Sequence, residues 1–153
     1  MKNKLRWSLS WALTAIFIVA IVLLLSPAVR NTLRTEPVLL ALGISLLILG
    51  GAIIYFTIKE KLTGLPMVFM SLTGASAAGI TISVFLHNAI YGLFINWFGP
   101  AFWTGIGLPD EPIFFFLGLI FFPVTLLAGI IGTIVLVIKN GGNITELRAL
   151  IHI

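Results

Sequence analysis

His87-Asn88 is the pair in this chain best suited to chemistry: an imidazole and an amide inside residues 62–109, a stretch without Asp, Glu, Lys or Arg. Ionisable side chains are costly in so apolar a setting, and such positions are functional candidates by default. Ser83 and Tyr91 lie four residues to either side of His87, so a helix puts all three on one face, close to Ser76. Asn88 turns about 100° away from them. Asp110 and Glu111 end the stretch and open the next apolar run, which makes them the acidic counterparts of the imidazole. Two readings follow. The polar groups hydrogen-bond neighbouring helices and hold them together, or they line a small wet pocket for binding or proton transfer.

Other chemistries are poorly served. The chain has no cysteine, which removes thiolate nucleophiles, iron–sulfur clusters and Cys-type zinc sites. Only His87 is embedded, so haem ligation by two histidines has no second partner, and His152 belongs to the tail. No phosphate loop, dinucleotide fingerprint, HExxH metal motif or serine elbow occurs. No catalytic residue, metal or cofactor is therefore assigned. The net charge of +4 comes from basic residues at the ends of apolar runs, which points to anionic headgroups and not to nucleic acid.

The elements that must position these residues are legible from the charges. All of them fall outside four runs, residues 7–29, 37–58, 62–109 and 112–138. A hydrocarbon core about 30 Å thick takes roughly 20 apolar residues per helical crossing. All four runs reach that length, and the 9% charged content with mean hydropathy +1.17 is far below the roughly 25% charged of ordinary globular domains. The chain reads as all-α, an integral membrane four-helix bundle, with helices at about 7–25, 38–58, 65–95 and 112–138. Residues 2–6 followed by an apolar run resemble a signal peptide, with Ser26-Pro27-Ala28 at a passable cleavage position. The run exceeds the usual apolar length for one, so an uncleaved first helix is expected.

The third helix is the polar one. Ser71, Ala75 and Gly79 recur at spacing four, as do Gly74 and Ala78, and in the fourth helix Ala128 and Gly132. Small residues at that interval let helix backbones approach closely, so these positions are expected to form packing faces. Pro123 predicts a kink. Residues 96–109 are too broken by Gly and Pro to cross and too aromatic for a solvated loop. They read as an aromatic loop at the outer interface, held there by Trp97 and Trp103, with a re-entrant segment as the alternative. Residues 141–153 read as an amphipathic tail that turns at Gly141-Gly142 onto the cytoplasmic surface, with Ile144, Leu147, Leu150 and Ile151 on its apolar side.

Function is expected to lie in helix association, as an accessory subunit, scaffold or assembly factor. The alternative is an oligomeric small-solute or ion transporter or channel with its polar site around His87-Asn88. A membrane enzyme acting on lipid or quinone ranks third. The partners expected are the lipid bilayer and either a second copy of the chain or a larger membrane complex, in a prokaryotic cytoplasmic membrane.

Orientation follows from Lys2, Lys4, Arg6, Lys59, Lys61, Lys139 and Arg148, which share one side, against Arg30 and Arg34 on the other. The excess of Lys and Arg marks the cytoplasmic side, so both termini and the 59–61 turn should be inside. Cysteines introduced singly at Glu60 and Thr104 test this with an impermeant thiol reagent on intact cells. Position 104 should label and position 60 should not; the reverse pattern inverts the topology.

Overall fold

A computed structural model describes the backbone of residues 2–26 and 35–151 and the side chains of residues 8–26 and 36–139. The described residues form helices joined by turns, with no strand among them, in the order α1 (Lys2–Leu25), α2 (Thr35–Lys59), α3 (Gly64–Phe98), the short α4 (Phe102–Gly105), α5 (Pro112–Phe116), a π-helical turn (Leu117–Phe121) and α6 (Phe122–Ile151). The last three are consecutive and make one long rod. Among the described residues, four helical segments are long and apolar enough to cross a membrane. Pro27-Ala28 and most of the first connection lie outside the described residues.

α3 is the axis of the bundle. Of its apolar span 39% is buried, against 17–22% in the other three. The cause is its run of small residues, which present two faces at once. On one face Gly74 meets Gly50 of α2: a Cβ at Gly50 would lie 2.6 Å from the Gly74 carbonyl oxygen, and a Cβ at Gly74 would lie 2.7 Å from that of Gly50. Farther along, Thr81 donates its hydroxyl proton to the Gly43 carbonyl at 2.7 Å. The other face runs antiparallel to the final rod. Gly132 sits under the Phe69 ring, Gly129 against the Thr73 backbone, Phe122 over Gly79 and Gly118 against Ser83. Between these, Ser76 and Thr125 hydroxyls lie 2.8 Å apart; the Thr125 proton has the Phe121 and Phe122 carbonyls of its own helix within 3.1 Å, which leaves Ser76 to donate across.

α1 packs chiefly on α2. Its Leu13 and Phe17 complete a buried cluster with Leu46, Ile53, Met70, Ala77, Leu126 and Ile130. α1 has no glycine, and its part in the core is made by these large side chains.

Three expectations change in detail. The spacing-four stripes are not single contact faces: Gly74, Gly79 and Gly132 lie in the seams, with Ser71 and Ala78 half-buried, but Ala75 and Ala128 are exposed. A contact seam needs alternating steps of three and four because 3.6 residues make a turn, and Gly129 with Gly132 supplies it on α6. At Pro123 the deviation from α-helix precedes the proline as the π-helical turn, where the Phe122 N–H reaches back five residues to the Leu117 carbonyl. Finally, α6 does not stop at Lys139. It continues through Gly141-Gly142 to Ile151, so the turn expected there is absent; glycine lowers helix propensity by about 1 kcal/mol without forbidding helix. Which side chains of the tail face which way lies outside the described residues.

The Gly50–Gly74 contact gives a paired prediction. Gly50→Ala should destabilise the folded bundle by about 1–3 kcal/mol through overpacking, whereas at Gly51, where nothing lies within 4 Å of a new Cβ, alanine should be neutral or slightly stabilising. Equilibrium unfolding of both variants in mild detergent checks this. Equal effects would show that α2 and α3 do not meet at backbone distance.

Candidate functional site

The rod that follows residue 111 begins with a built helix start. Pro112 occupies the first helical position, where its missing N–H is no loss. Glu111 is the N-cap: its Oε1 accepts from the backbone N–H of Ile113 at 2.8 Å and of Phe114 at 3.2 Å, and its Oε2 accepts from Phe114 at 3.0 Å. A carboxylate here also faces the positive end of the helix dipole. Asp110 braces the cap by accepting from the Glu111 N–H at 2.7 Å. The Glu111 side chain is 4% exposed and the Asp110 side chain 42%.

The antiparallel register of α3 against this rod brings His87 level with the cap. Its Nδ1 lies 3.1 Å from the Glu111 carbonyl oxygen and 3.3 Å from Oε2, and its Nε2 lies 3.3 Å from Asp110 Oδ2. Both ring nitrogens thus face oxygen acceptors. The nearest acceptor to Nδ1 is the Glu111 backbone carbonyl, so the ring meets the helix start through a backbone oxygen as well as through the two acid side chains, of which Asp110 is the exposed one.

Aromatic rings surround it. Phe115 lies 5.6 Å from the imidazole and Tyr91 stacks at 6.5 Å. Trp103, in α4, stacks on Tyr91 at 6.0 Å and donates its indole N–H to the Tyr91 carbonyl at 3.4 Å. Phe94 joins Trp103 and Phe102 in the same cluster.

Of the residues singled out in the sequence, His87, Asp110 and Glu111 come together, Tyr91 flanks them, and Ser83 is buried one turn along α3 against Gly118. Asn88 does not join. It is exposed, and its amide donates to the Val84 carbonyl of its own helix at 2.7 Å. Trp103 and Phe115 are members that residue type and spacing do not mark. Trp103 is 7% exposed instead of half wet, while Trp97 is 64% exposed. The signal for Trp103 is Gly99-Pro100: Gly99 (φ +92) closes α3 by giving its N–H to the Ile95 carbonyl, and the chain then doubles back onto the helix it has left. Glycine followed closely by proline is a helix stop, later than the stop expected at residue 95.

Comparisons with protein-family models, curated sequences and solved structures return no match for this chain.

Burial ranks the two acids. Glu111→Ala removes the acceptor of two backbone N–H groups and a partner of His87 from a buried site, and should cost about 1–3 kcal/mol of stability. Asp110→Ala, at the exposed side, should cost clearly less. Unfolding curves of the two variants decide, and an equal or larger effect at Asp110 would make it, and not Glu111, the acid that holds the cluster together.

Proposed function

We propose that this chain is a small multi-pass membrane protein that acts by associating with other membrane helices, as an accessory subunit, scaffold or assembly factor. Both termini face the cytoplasm, in a prokaryotic cytoplasmic membrane. Large apolar side chains exposed along every long helix, among them Trp11, Leu40, Phe85 and Val124, support a bilayer setting, since so much apolar surface has no place in water. One observation carries the association reading. Three of the polar side chains of α3 are engaged by neighbouring segments, Ser76 by Thr125, Thr81 by Gly43 and His87 by Asp110 and Glu111, and Thr73 and Asn88 bond their own helix.

A second reading has its own support. Asp110 is partly exposed and touches His87, so the outer surface communicates with the imidazole, as a proton or cation site in an oligomeric transporter would require.

Purification in mild detergent followed by native mass spectrometry separates these. A stoichiometric foreign subunit is the expected result; a homo-oligomer favours the second reading, and a strictly monomeric chain overturns association. For the second reading, His87→Gln keeps a hydrogen-bonding group but cannot relay a proton. Dye-reported proton flux in reconstituted vesicles that this substitution abolishes would establish transport, and flux unchanged by it removes His87 from any route.

A further inference from the structure

The turn between α2 and α3, at the opposite end of the bundle from His87, holds a lysine where glycine is the usual residue. Lys61 has φ +49, and among the described residues no other side chain sits on left-handed backbone. Its N–H bonds the Ile58 carbonyl at 3.0 Å, and the Leu62 N–H bonds the Thr57 carbonyl at 3.2 Å. That pair of bonds ends a helix around one left-handed residue, most often glycine. Leu62 then packs on the core cluster. A side chain at the left-handed position strains the backbone, so closing the helix gives no reason for lysine here. The charge is what the lysine adds.

Other cations share that end. Lys59, in the last turn of α2, donates to the Tyr55 hydroxyl at 3.1 Å, with its ammonium 5.1 Å from the centre of the ring. With Gly129 against Thr73 and Gly132 under Phe69, the antiparallel register carried on along α6 brings Lys139 level with the turn. All three lysines are exposed, and Glu60, half-buried, is the acid among the described side chains there. An ammonium cannot accept a hydrogen bond, so the Tyr55 phenol proton is left for another acceptor, and Lys59 keeps two further N–H groups. Tyr55 is 56% exposed and lies one turn from Lys59 towards the middle of the bundle. Phenol and ammonium thus offer donors and positive charge at the edge of an apolar face.

We propose that this end of the bundle binds the headgroup of an anionic phospholipid, with Tyr55 and Lys59 on its phosphate and Lys61 and Lys139 adding charge around it. Phosphate oxygens accept charge-assisted hydrogen bonds from such donors, and basic residues at a membrane surface attract anionic lipid. Given the bilayer setting proposed above, on which this rests, a lipid and not free phosphate is the source: a phosphate beside Tyr55 has acyl chains to lie along the exposed Ile58, Ile48 and Ile44 of the same helix.

Native mass spectrometry of the chain in mild detergent, titrated with dioleoylphosphatidylglycerol or with dioleoylphosphatidylcholine, tests this. The anionic lipid should be retained more tightly. Lys61→Gly should weaken its retention about fivefold, Tyr55→Phe should weaken it too, and neither should change retention of the zwitterionic lipid. Because glycine relieves the left-handed position, Lys61→Gly should also raise the denaturant midpoint of unfolding. Equal retention of the two lipids overturns the proposal, as does undiminished retention of the anionic lipid in Lys61→Gly. A lowered midpoint in that variant overturns it as well, since the lysine would then serve the turn itself. Inorganic phosphate that displaces the lipid at matching concentration makes this a free-anion site and overturns the lipid assignment. A chain that stays soluble without detergent overturns the bilayer setting together with this proposal, whereas a detergent-dependent chain that fails the lipid comparison overturns this proposal alone.

Discussion

Backbone-distance contact along both sides of α3 is the constraint on which the rest of the bundle depends. In the bilayer setting proposed above, apolar helices gain little from hiding from an apolar solvent, so association rests on close packing and hydrogen bonds. Gly50 against Gly74 and Gly129 against Thr73 provide the first. Ser76 with Thr125 and Thr81 with Gly43 provide the second. None of these contacts tolerates sliding, because each glycine admits a specific neighbour. Together they fix the register of α3 against α2 and against the final rod.

The polar site is a consequence of that register. With Gly118 seated on Ser83 and Phe122 on Gly79, the start of α5 arrives one turn farther on, opposite His87. Glu111 is already held by the N–H groups of the helix it caps, so its carboxylate is in place before any contact with the imidazole is considered. His87 then receives two acceptors at once. Tyr91 and Trp103 close the outer flank, because Gly99 turns the chain back onto α3. The site is thus assembled from one helix interior, one helix start and one returning turn.

Much of this is readable from residue types. Charges bracket the four runs, and all four appear as helices. The pairing of His87 with Asp110 and Glu111 is legible because acids at a helix start must lie at the end that His87 approaches. What escapes depends on geometry that composition does not encode. Small residues recur on all sides of α3, and only the packed helices show that Gly74 and Gly79 are contacts while Ala75 is not. Asn88 looks equivalent to His87, yet a step of 100° sends it outward to bond its own helix. Gly141-Gly142 reads as a stop, but nothing in two glycines compels one, and α6 runs on. His87 has its landmark in its neighbour: it lies level with the N-cap of α5.

That landmark leaves a long overhang. α3 has 35 residues, roughly 52 Å at 1.5 Å each, and about 16 Å of it extends past His87 towards Phe98. The overhang carries a girdle of rings, with Trp97 and Phe98 outermost and more than half exposed. In the bilayer setting proposed above, an indole placed like that of Trp97 favours the headgroup level, so it would fix the vertical position of the rod to which it belongs. Because α3 is locked to its neighbours in register, setting its height sets the height of the whole bundle. In that setting, a bilayer too thin for the span would have to be met by tilting α2, α3 and the final rod together, since their shared register leaves none of the three free to adjust alone.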